Sequence, residues 1–78
     1  MLKKRLKLIV TFHTSSEAMA TEKVCKDADI EGQLISAPRE LTADCGISYA
    51  AEVVDKARIE ELLNSKKIEF DRMVEVEV

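Results

Sequence analysis

Six stretches of regular hydrophobic spacing follow one another in this chain, four with the two-residue period of strands and two with the helical period. In 78 residues that leaves room for little else. Leu6, Leu8, Val10 and Phe12 alternate with Lys7, Ile9 and Thr11, which predicts a half-buried first strand. Thr14-Ser15-Ser16-Glu17 then has the spacing of a capping box, with Thr14 as N-cap and Glu17 at the third helical position. Ala18, Thr21, Val24, Cys25 and Ala28 line one face of the helix that follows, and Gly32 is the expected stop.

Gln33 to Ala37 reads as a short second strand ended by Pro38. Ile47, Tyr49, Ala51 and Val53 alternate with Ser48, Ala50 and Glu52 in a third. Asp55 is placed to cap a second helix carrying Ile59, Leu62 and Leu63. Ile68, Phe70, Val74, Val76 and Val78 complete a last strand, in which Arg72 falls out of phase and predicts a bulge or a late start.

The order is βαββαβ. One four-stranded antiparallel sheet with both helices on one face buries all these apolar stripes, so the expected class is α+β and ferredoxin-like, a single domain over residues 1–78. Right-handed crossovers place the first and last strands side by side, with Lys7 near Glu75 or Glu77. The same topology gathers the first βα turn, the hairpin between strands two and three, and the turn before strand four at one end.

That hairpin connection is the unusual part. Strands two and three are joined by Pro38-Arg39-Glu40-Leu41-Thr42-Ala43-Asp44-Cys45, where a hairpin needs only a few residues. Cys45 in it has two readings: a reactive sulfur, or a small apolar group packed under the loop. His13, Arg39, Lys66, Lys67 and the first helix N-terminus at Thr14 are the groups that would lower its pKa, while Asp44 opposes them. Gly46 supplies a backbone able to turn tightly beside the thiol. Cys25 is expected to be buried on the apolar helix face, too far along the helix for a disulfide to Cys45.

Several functions lose ground on residue types alone. A net charge of -3 argues against a generic nucleic-acid surface. The outward positions Lys7, Ile9, Thr11, Ser48, Ala50 and Glu52 offer no aromatic ring for base stacking. The first βα turn, Phe12-His13-Thr14-Ser15-Ser16, lacks the paired cysteines of a metallochaperone, and a single histidine with no Cys-x-x-Cys disfavours structural zinc. No cofactor is expected. No membrane span or export signal is read, so the expected setting is the cytoplasm, with free thiols.

Phe12 followed by Ser15/Ser16, Ala18 and Glu22, then Pro38-Arg39-Glu40 and Cys45-Gly46-Ile47, resembles the selenium/sulfur carrier-like family of small prokaryotic domains. The chain departs from that pattern at Ser48-Tyr49-Ala50, where a more aliphatic run is expected. The resemblance implies a non-enzymatic carrier in which Cys45 holds sulfur or selenium, with donor and acceptor proteins as partners. Pro38, Arg39 and Gly46 then shape its loop, with His13 and Thr14 in support. The alternative is a regulatory or interaction module that forms a homodimer through the open sheet face, where Ile9 and Met73 stand among charges.

Overall fold

The computed structural model describes residues 6–37 and 46–77. Within them the chain forms β1 (Leu6–Thr11), α1 (Ser15–Asp27), β2 (Gly32–Ser36), β3 (Ile47–Glu52), a short 3₁₀ turn (Val53–Asp55), α2 (Lys56–Ser65) and β4 (Arg72–Glu77). The strands make one antiparallel sheet in the order β2-β3-β1-β4, so the expected α+β, ferredoxin-like arrangement is the one found.

The alternation of β1 divides the sheet into two faces. Leu8, Val10 and Phe12 join Tyr49 and Ala51 of β3 in the core, closed by Ala18 and Cys25 of α1 and by Ile59 and Leu63 of α2. On the other face the cross-strand partners are Arg72, Thr11, Ser48 and Ile35 in one row, and Val74, Ile9, Ala50 and Gln33 in the next. Ile9, Thr11 and Ser48 in these rows have no exposed surface. The expected docking face therefore loses both residues that motivated it. Ile9 is fully buried, and Met73 lies opposite Val10, which puts it on the helix side.

β4 differs from expectation in phase. Phe70 and Met73 both pack against the core, although an uninterrupted strand would send residues three apart to opposite faces. The strand starts late, at Arg72, as one of the two expectations had it. The irregularity is visible just before it, where the Asp71 N–H donates to the Thr11 carbonyl at 2.7 Å and the Arg72 N–H donates to Thr11 Oγ1 at 3.0 Å. A one-residue slip exchanges every later side chain between faces. Val74 and Val76 are thus carried away from the helices, and Glu75 is carried toward them, where it meets Lys56 of α2 at 3.5 Å. Lys7 consequently pairs with Glu52 of β3, directly across in register, at 2.7 Å, and not with Glu75 or Glu77.

Both helices end without glycine. After α1, Asp29 takes φ 59° and the Ile30 N–H returns to the Cys25 carbonyl at 2.9 Å. After α2, Lys67 takes φ 57° and the Ile68 N–H returns to the Leu63 carbonyl at 2.9 Å. In each case the isoleucine packs against the core and fixes the cap, so the stop comes well before Gly32, which opens β2 instead. A left-handed backbone strains a lysine and not a glycine. Lys67→Gly is expected to stabilise the domain by about 0.5–1 kcal/mol in urea unfolding. A neutral or destabilising result would count against the cap geometry.

The candidate thiol loop and its frame

The connection that carries Cys45 leaves the sheet after Ala37 and re-enters at Gly46. Its two stems are tied together by the Ala37 N–H, which donates to the Gly46 carbonyl at 3.0 Å. Gly46 has φ 72°, the left-handed conformation that a side chain resists, so the residue after the thiol is glycine for a backbone reason. Pro38, Arg39 and Cys45 lie outside the described residues.

Register places the rest of this end. Thr11 closes β1 opposite Ser48, the second residue of β3, and opposite Arg72, which begins β4. The first turn of α1 is built as its sequence predicts. The Glu17 N–H donates to Thr14 Oγ1 at 3.2 Å, and Glu17 Oε1 accepts from the backbone N–H groups of His13 at 3.0 Å and Thr14 at 3.2 Å. The same box changes the electrostatics expected there. The carboxylate of Glu17 already occupies amides at this helix start, so the end of α1 offers a second anion less than a bare N-terminus would.

A second carboxylate stands on the β4 side. Asp71 Oδ2 accepts from Thr11 Oγ1 at 3.4 Å, Asp71 Oδ1 lies 3.9 Å from His13 Nε2, and Arg72 Nε lies 3.9 Å from Asp71 Oδ2. His13 is therefore held by the frame as well as by α1, not left as a free hinge. Lys67 lines a shallow depression with His13, Asn64 and Phe70 at this end. The loop frame thus mixes cations (Lys67, Arg72, and His13 when protonated) with the carboxylates of Glu17 and Asp71.

Cys25 sits elsewhere, and its surroundings decide its chemistry. It has no exposed surface. Burial pushes its thiol above the ordinary value of 9.0, a hydrogen bond with Tyr49 partly offsets that, and the negative charge of Asp55 adds to the rise. The Tyr49 hydroxyl is likewise pushed up by burial and by its contact with Cys25. A neutral, enclosed thiol is neither a nucleophile nor a leaving group at neutral pH. Cys25 belongs to the core.

The model of the family described as "Putative Se/S carrier protein-like" matches residues 7–75. The chain belongs to this family. The matched span includes Pro38, Arg39, Cys45 and Gly46, with the other residues on which the resemblance rests. No curated protein and no solved structure matches the chain. Among the described residues of this Se/S carrier-like domain, no group of three or more His, Cys, Asp or Glu could hold a metal ion. No described helix is long and apolar enough to cross a membrane.

Sequence reasoning brought His13, Thr14 and Gly46 to one end and missed Asp71 and Thr11 there. The only signal was the phase break between Phe70 and Val74, which marks an irregular strand entry where backbone groups need side-chain partners.

Proposed function

We propose that this domain carries sulfur or selenium on Cys45. The observation that carries the reading is the enclosure of Cys25. In a family described by Se/S carriage, a chain with two cysteines, one of them locked in the core, has a single thiol left for the cargo. The tied stems at Ala37 and Gly46 support it, because they hold a long connection at the end where Lys67 and Arg72 bring positive charge.

The step needs no cofactor and no net redox change. The Cys45 thiolate attacks the outer sulfur of a donor protein's persulfide, a Cys45–sulfur bond forms, the donor's sulfur–sulfur bond breaks, and the electron pair leaves on the donor thiolate. Delivery repeats the exchange with an acceptor thiolate, and Cys45 is released as thiolate. Selenium in place of the outer sulfur follows the same course. Pro38 and Arg39 shape the loop in this reading, with the His13–Asp71 contact and the Thr14 cap fixing one side of its frame. A reducing cytoplasm is the setting that keeps such a thiol free.

The test is loading. The protein is incubated with a cysteine desulfurase and L-cysteine, then weighed intact before and after treatment with a reducing thiol. One added sulfur atom that the reductant removes is the expected result. A mass that never changes, at any ratio of desulfurase to domain, would refute carriage.

A further inference from the structure

The two edges of the sheet are built differently. β4 carries Arg72, Glu75 and Glu77, charges of the kind that keep an edge strand from pairing with another chain. β2, at the other edge, reads Gly32-Gln33-Leu34-Ile35-Ser36, with no charge and no proline. Leu34 and Ile35 on it are half-buried, one on each face.

The outward backbone groups of β2 can be assigned. Ala37 and Gly46 stand directly opposite in the β2–β3 register and are hydrogen-bonded. Bonded pairs alternate along an antiparallel ladder, so Ile35 and Gln33 bond to β3. Gly32, Leu34 and Ser36 therefore turn their N–H and C=O groups to the free edge, and no described strand pairs with them. Those three residues fit themselves. In an antiparallel pairing of β2 with a second β2 centred on Leu34, Leu34 meets Leu34, Gly32 meets Ser36, and every bonding position meets a bonding position.

We propose that β2 is a pairing edge whose occupant is a second copy of this chain, giving a continuous eight-stranded sheet in the register centred on Leu34. A two-fold axis perpendicular to the sheet keeps the helices of both copies on one side, so Leu34 adjoins Leu34 on the helix face while Gln33 adjoins Ile35 on the other. The groove beside β2 selects this occupant. Its rim sets Glu22, Glu31 and Glu52 against Lys7, Lys23 and Lys26, so a copy of the same balanced rim meets no net repulsion and a strongly charged partner strand gains no net attraction. The pairing spans Gly32–Ser36, up to the Ala37 stem of the thiol connection. It holds or fails independently of Cys45 carrying sulfur.

The experiment is sedimentation across a dilution series with two variants, each with its fold checked by circular dichroism. Wild type is expected to sediment as a dimer that dissociates on dilution. Ser36→Pro removes an outward N–H and leaves the β2–β3 ladder intact. It is expected to weaken dimerisation on the order of tenfold or more, since two hydrogen bonds are lost per dimer. Leu34→Cys, made together with Cys45→Ser, places two thiols directly opposite, within disulfide reach, and is expected to give a covalent dimer under mild oxidation. This variant decides the matter if Ser36→Pro fails to fold. A monomer at every concentration overturns the proposal. So does a dimer that Leu34→Cys does not cross-link, as would happen if an interface elsewhere held the copies together.

Discussion

Cys45→Ser is expected to abolish loading from a desulfurase completely, and Cys25→Ala to leave loading unchanged. The asymmetry follows from where the two thiols stand. Attack on a persulfide needs a thiolate that can approach the donor's outer sulfur. Cys25 fails on both counts: it has no exposed surface, and burial holds its proton on well above neutral pH. Its removal costs core packing, so Cys25→Ala lowers thermal stability by about 1–2 kcal/mol while the loaded mass at a temperature below the transition stays at wild-type level. Intact mass of both variants after identical incubation reads the result. Equal loading of Cys45→Ser and wild type would mean the sulfur sits on another atom, and the carrier reading would lose its site. Iodoacetamide gives an orthogonal check. One equivalent is expected to react with the folded wild type and none with folded Cys45→Ser, with the Cys25 thiol becoming reactive in both only on denaturation, for totals of two and one.

Most of the fold was legible because the chain obeys two simple periods with little interruption. The capping box at Thr14 and Glu17 is a local device: four consecutive residues carry its whole geometry, so sequence alone locates it. Cys25 could be placed in the core because it shares a helix face with Ala18 and Thr21, all three buried. What failed to show was non-local. The phase of β4 depends on how Asp71 and Arg72 meet Thr11, a residue sixty positions away, and a one-residue slip there is silent in a stretch where Met73, Val74 and Val76 are all apolar enough for either face. The partner of Lys7 was misread for the same reason. The end of α1 was misplaced at Gly32 because Asp29, like Lys67 after α2, accepts a left-handed conformation that the sequence habit assigns to glycine, held there by Ile30 and Ile68 packing behind them. At the candidate site, the glycine beside the thiol could be read from its residue type. Asp71 could not, since a lone aspartate before a strand carries no motif.

The same non-local geometry underlies the second large effect, which falls on Gly32. This glycine is exposed and its φ is not in the left-handed region, so nothing about its own backbone calls for glycine. The constraint comes from β3. A Cβ built at Gly32 would collide with the hydroxyl and ring of Tyr49 and would stand 2.8 Å from the Ala50 carbonyl oxygen. Tyr49 is almost wholly buried and leans across the position left empty by the missing side chain, which brings its hydroxyl to Cys25. Gly32→Ala must displace that ring and break its contact with the thiol, and the Ala50 carbonyl belongs to the sheet and cannot turn aside. Overpacking of this kind costs about 1–3 kcal/mol, and the ordering advantage of alanine over glycine returns only about 0.4–1 kcal/mol. Because the obstruction includes backbone, the upper part of the range applies, and a net loss of about 2 kcal/mol is expected. In a domain of this size that lowers the melting temperature by roughly 8–16 °C. Tyr49→Phe in the same chain removes the colliding oxygen, so the double variant should recover part of the loss relative to the sum of the two single changes. Calorimetry of the four proteins closes the cycle. A Gly32→Ala domain that melts with wild type, or a cycle with no coupling, would show that Tyr49 does not occupy the space above Gly32, and the packing around Cys25 would have to be redrawn with it.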